Sequence, residues 1–87
     1  MKLKIGYKAL IDSATEQIET IGLEQAQKLL EDSSVVFVDI RDVRELEREG
    51  MIPGALHAPR GMLEFWVDPE SPYYKPIFGE GKRFILY

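Results

Sequence analysis

Hydrophobic and polar positions alternate along the chain between two periods, helical and strand-like, with turn residues between the segments. Tyr7–Ala14 reads as a short helix or irregular arm. Over Gln17–Ile21, Ile18 and Ile21 flank polar Glu19 and Thr20, which predicts a first strand of loose alternation. Leu23–Glu31 predicts a helix: Leu23, Ala26, Leu29 and Leu30 fall on one stripe, and Glu24, Gln25, Gln27 and Lys28 on the opposite face. Asp32-Ser33-Ser34 ends that helix and turns the chain. Val35–Val38 is then continuously apolar, the signature of a strand covered on both faces, and Asp39 and Ile40 end it.

The second half repeats the alternation. Asp42 caps a charged helix through Glu49, with Val43 and Leu46 inward and Gly50 as its stop. Ile52-Pro53-Gly54-Ala55 is a tight turn, because proline fixes one φ and glycine permits the next. Ala55–Ala58 predicts a short edge strand bounded by Pro59, and Gly61–Val67 a helix carrying Met62, Leu63, Phe65 and Trp66. Asp68–Lys75 reads as loop, Gly79-Glu80-Gly81-Lys82 as a turn, and Arg83–Tyr87 as a buried strand. The expected fold class is therefore α/β: a small, mostly parallel sheet with helices on both faces. Ligands in such sheets sit beyond the carboxyl ends of the strands, which singles out the loop Asp39–Asp42 and the position after Tyr87.

Composition narrows the chemistry. Eighty-seven residues make one small domain with a thin margin of stability. Eleven basic and fifteen acidic residues give a net charge of −4, which argues against a nucleic-acid partner. The longest apolar runs, Val35–Val38 and Phe84–Tyr87, are far too short to span a membrane, so a soluble, cytoplasmic protein is expected. Zero cysteines remove disulfides, zinc–thiolate sites and every thiol nucleophile. The single histidine, His57, removes multi-histidine metal sites, and neither metal nor cofactor is expected.

Several of these segments together resemble one family. Val36-Phe37-Val38-Asp39-Ile40-Arg41, then Arg44-Glu45 in a charged helix, then Gly50-Met51-Ile52-Pro53-Gly54-Ala55 and Pro59, are similar to the front half of a rhodanese-like domain. That family has a strand ending in Asp-x-Arg and a Gly-His-Ile-x-Gly-Ala turn; Met51 stands here in place of the histidine. Pro59–Phe65 resembles one bacterial subgroup, and Lys82–Tyr87 resembles the strand that leads into the active-site loop. The likeness covers Ile18–Tyr87, leaving residues 1–17 as an N-terminal arm and 18–87 as a partial rhodanese-like domain, incomplete at its C-terminus. The resemblance implies sulfur transfer through a cysteine persulfide, with thiosulfate as a typical donor. The thiolate is the attacking group, and backbone N–H donors at a helix N-terminus stabilise its charge. The family's cysteine would follow Tyr87, so no catalytic residue lies in the chain and the chain alone is expected to be inactive.

Asp39, Arg41 and Arg60 are the candidate substrate-pocket residues. A strand-end carboxylate can orient a loop or hold an arginine, and it can equally cap the next helix. Guanidinium forks suit oxyanions such as thiosulfate, and they also make exposed ion pairs of little worth. Arg44–Glu47 and Glu45–Arg48 are i,i+3 neighbours on a solvated face. His57 has no serine or cysteine partner in any motif, and a packed or exposed side chain is the simpler reading. Glu64 faces water on the same grounds. Phe65, Trp66, Tyr73, Tyr74 and Phe78 are expected to cover one face of the sheet rather than to form a partner surface. The alternative function is a non-catalytic binding or regulatory module, whose open sheet is covered by a protein partner or in a swapped homodimer.

Overall fold

Three parallel strands form the centre of the protein. The structure, a computed structural model, describes residues 1–87. Its elements are α1 (Tyr7–Gln17), α2 (Leu23–Leu29), β1 (Val35–Asp39), α3 (Val43–Glu49), β2 (Leu56–His57), α4 (Leu63–Val67), a 3-10 turn (Pro76–Gly79) and β3 (Arg83–Leu86). The strand order is β2-β1-β3, so the most apolar segment of the sequence lies in the middle. Val35 through Val38 align with Arg83 through Leu86, and Val38 and Asp39 with Leu56 and His57. The expected mostly parallel α/β architecture is present.

Local chemistry sets each boundary. After α2, the Asp32 carboxylate accepts from the Ser34 backbone (2.9 Å) and hydroxyl (2.7 Å), turning the chain into β1. A full capping box opens α3: Asp42 accepts from Arg44 N, and Glu45 reaches back to Asp42 N at 3.1 Å. Gly50 closes it at φ 76°, donating to Leu46 O. In the following turn Ala55 N donates to Ile52 O at 3.0 Å, with Pro53 before Gly54 at φ 80°.

The fully buried core is small: Phe37, Val38, Asp39 and Ala58, all at the carboxyl half of β1 or beside it. Strand alternation puts Phe37 and Ile85 on one face, beside Ala26 of α2. Phe84 on the other face stacks against Phe78 of the 3-10 turn, ring centres 5.1 Å apart.

Four expectations are corrected. Gln17–Ile21 is not a strand: α1 runs through Gln17, and residues 18–22 pair with no ladder. A loose alternation makes no strand without a hydrogen-bonding neighbour. Next, β3 is not buried. It is an edge strand with one partner, and Leu86 is 48% exposed. Phe84 and Ile85, on opposite faces, are half-buried, and the strand has a hydrogen-bonded neighbour along one edge only. The inward stripes of the helices are also narrower than predicted. Leu23, Leu30 and Val43 stand in solvent, while Ala26, Leu29 and Leu46 are half-buried. Finally, the aromatic cover is partial. Trp66, Tyr74 and Phe78 are half-buried, whereas Phe65 and Tyr73 are exposed and meet edge to face, centroids 6.3 Å apart.

Candidate functional site

The carboxyl ends of all three strands meet at Ile40. Its N–H donates to Tyr87 O (3.0 Å), and its carbonyl accepts from Arg60 N (3.1 Å). Tyr87 N in turn donates to Val38 O, and Ala58 N to Asp39 O. The Asp39–Asp42 loop is thus tied by main-chain bonds to Tyr87 at the end of β3 and to Arg60 after β2, at one rim.

Asp39 sits beneath this rim with no exposed surface, and Arg41 is its partner. Arg41 Nε lies 3.0 Å from Asp39 Oδ1, and Nη2 lies 2.8 Å from Oδ2, a bidentate fork. Arg41 N also donates to Oδ1 at 3.0 Å. Nη2 goes on to the Gly50 carbonyl (2.8 Å), and Nη1 to Glu49 Oε2 (3.3 Å). The Arg41 guanidinium lies over the Tyr87 ring, 5.7 Å from its centroid. The guanidinium hydrogen bond holds the Asp39 carboxyl at about 2 against the opposing effect of burial, so it is ionised at neutral pH.

The hydrogen bonds show what each residue holds within the chain. Of the five N–H groups on Arg41, Nε, both of Nη2 and one of Nη1 are engaged inside the protein. Arg41 therefore pins the Asp39–Asp42 loop to the stop of α3 and has little left for an anion. Asp39 orients Arg41 and does not cap α3; Asp42 has that role. Arg60 is brought to the rim by its backbone, while its exposed side chain pairs with Glu64 on the surface of α4. No group of three or more His, Asp or Glu side chains gathers to hold a metal.

Two members of the site were missed by sequence reasoning. Tyr87 accepts from Ile52 N through its hydroxyl (3.1 Å), joining the end of β3 to the Pro53–Gly54 turn. Burial pushes its phenol above the ordinary value of 10. Its signal was its place as the last residue of an apolar run that ends at the rim. His57, in register with Asp39 across the sheet, lies 2.8 Å from the Arg41 carbonyl through Nε2. A carbonyl only accepts, so Nε2 carries the proton and His57 buttresses the loop. A cleft of about 380 Å³ opens beside these groups, lined by Arg41, Glu49, Gly50, Met51, Ile52 and Tyr87.

The comparisons with known proteins agree with this architecture. A solved structure from Rhodopseudomonas palustris CGA009, described as a protein of unknown function and possible tyrosine phosphatase, is 52% identical in sequence. It superposes with a TM-score of 0.90, over 100% of this chain and 67% of that one. The sequence profile of the rhodanese-like domain matches residues 22–87, three quarters of the chain, and includes every residue of the rim. The chain belongs to the rhodanese-like domain family.

Proposed function

We propose that this chain frames a sulfane-sulfur transfer site of the thiosulfate sulfurtransferase type, whose nucleophile is a cysteine on a loop adjoining the end of β3. The observation behind the reading is the convergence of the three strand ends on Ile40, braced from below by the buried Asp39–Arg41 pair. A rim tied by main-chain bonds and an ion pair presents one fixed edge to the loop beside it. In the reaction, the thiolate attacks the outer sulfur of thiosulfate, the S–S bond breaks, and sulfite leaves with the electron pair. Cyanide or another thiophile then takes the sulfur from the persulfide and regenerates the thiolate.

The roles within residues 1–87 follow from their hydrogen bonds. Asp39, Arg41, His57 and Tyr87 position the rim. Arg60, paired only with exposed Glu64, is the cation free to exchange partners for an anionic donor. The chain has no cysteine, so it forms no persulfide by itself. No helix is long and apolar enough to cross a membrane, which fits the cytoplasmic setting we assign to the protein.

Two other readings have specific support. The Rhodopseudomonas palustris relative is described as a possible tyrosine phosphatase, and such a reaction on this frame also needs a thiolate. The absent cysteine favours a non-catalytic module. The gene product read through the codons beyond Tyr87 separates them, assayed for thiocyanate from thiosulfate and cyanide and for p-nitrophenyl phosphate hydrolysis. Thiocyanate formation, lost when the loop cysteine is replaced by alanine, is the expected result. Phosphate release without thiocyanate replaces the reading with the phosphatase. A stop codon after Tyr87, or neither activity, leaves the binding module.

A further inference from the structure

The arginines beyond the strand ends are not equally available. Arg41, after β1, engages Asp39, Glu49 and Gly50. Arg44 holds Asp42 through Nε at 3.0 Å, inside the capping box that opens α3. Arg60, after β2, is held at the rim by its N–H on the Ile40 carbonyl, and its guanidinium has one partner, the Glu64 carboxylate.

Nothing else restrains that pair. The two side chains are 66% and 63% exposed, and neither has a second hydrogen bond. The main chain on either side is fixed independently of them: Met62 N donates to Pro59 O at 2.8 Å, and Lys75 N to Trp66 O at 2.9 Å beside the end of α4. The pair therefore opens by rotation of two side chains, with the backbone unmoved.

We propose that Glu64 is a tethered competitor for the Arg60 guanidinium and so sets how strongly the rim takes an anionic sulfur donor, an inference that rests on the sulfur-transfer reading above. With the pair closed, the fork is already filled by a carboxylate. Thiosulfate binds by placing its oxygens where the Glu64 carboxylate was, and Glu64 turns into solvent. Glu64 forms no bond to the donor and takes no proton in this exchange. Because the competitor is part of the chain, it acts at a fixed effective concentration. The donor's affinity is reduced by the fraction of time that Arg60 is open. Exposed pairs are closed for about 60–85% of the time, so Glu64 weakens donor binding about two- to sixfold.

The gene product read beyond Tyr87 is assayed with thiosulfate as donor and uncharged dithiothreitol as acceptor. In Glu64→Gln, the ratio of kcat/KM for thiosulfate to that for dithiothreitol is expected to rise about two- to sixfold. A merely structural role would move both half-reactions and leave the ratio alone. In an Arg60→Gln background, Glu64→Gln is expected to add nothing, because the competitor acts only through that guanidinium. Circular dichroism checks that the variants keep the wild-type fold. A second readout needs no turnover: sulfate, a dianion with no sulfane sulfur, is titrated against the NMR signal of Arg60 Nε–H, assigned by its loss in Arg60→Gln. Its dissociation constant is expected to fall by the same factor in Glu64→Gln. An unchanged or lowered ratio, an equal gain without Arg60, or equal sulfate constants overturn the inference. A wild type that transfers no sulfur, with sulfate bound more tightly in Glu64→Gln, refutes the sulfur-transfer reading and leaves Glu64 the competitor at Arg60.

Discussion

Asp39 and Arg41 are unequal partners, because one is fully buried and the other has a path to water. Replacing Arg41 strands a carboxylate in the core, at about 3–5 kcal/mol. Whole domains of this length have roughly 4–13 kcal/mol in total. Arg41→Met is therefore expected to cost about a third or more of the stability of the fold, while Asp39→Asn, which leaves Arg41 its bonds to Glu49 and Gly50, costs less. Urea unfolding of the two variants gives the order. The same pair sets an acid limb. The Asp39 carboxyl is held at about 2, below its ordinary 3.8, so its contribution of about 2 kcal/mol is complete above pH 4 and is lost as pH falls towards 2. The wild-type urea midpoint is expected to fall more steeply across that window than that of Asp39→Asn. His57 makes a prediction independent of stability: nitrogen-detected NMR of its neutral ring is expected to show the Nε2–H form, and an Nδ1–H form contradicts the buttress. Asp39 was conspicuous in the sequence as a carboxylate ending a buried strand, and holding an arginine was one of its readings. That Arg41 is this arginine was not legible. It depends on Gly50 and Glu49 arriving from the far end of α3, and Tyr87 and His57 join through neighbouring strands.

At the scale of elements, legibility followed how local the determinant was. The α3 boundaries were readable because Asp42, Glu45 and Gly50 lie within one short segment and bond to one another. Asp42→Ala is expected to lower the thermal midpoint by several degrees, whereas Arg44→Ala, which removes only an exposed pair, leaves it nearly unchanged. Differential scanning calorimetry of the two checks this. The Pro53–Gly54 turn was equally local. The predicted strand over Gln17–Ile21 failed for the opposite reason, since a strand is defined by a partner elsewhere in the chain. β3 was placed correctly, but its burial was overstated, because cover on its outer side comes from no element among these residues.

The molecule as a whole is a rhodanese-like frame with its chemistry concentrated at one rim and its apolar surface left open along one edge strand. A buried core of four residues is small for 87, and it lies where the Asp39–Arg41 pair needs support. The frame carries no thiol, so the 87-residue chain is expected to produce no thiocyanate from thiosulfate and cyanide above the uncatalysed rate. The proposal that this rim serves sulfur transfer through a cysteine held beside β3 is tested by the intact mass of the gene product, read beyond Tyr87, after incubation with thiosulfate. The product is expected to gain one sulfur atom, located by fragmentation to a cysteine following β3 and removed by cyanide. A product that takes up no sulfur, or takes it up at a residue remote from this rim, contradicts it.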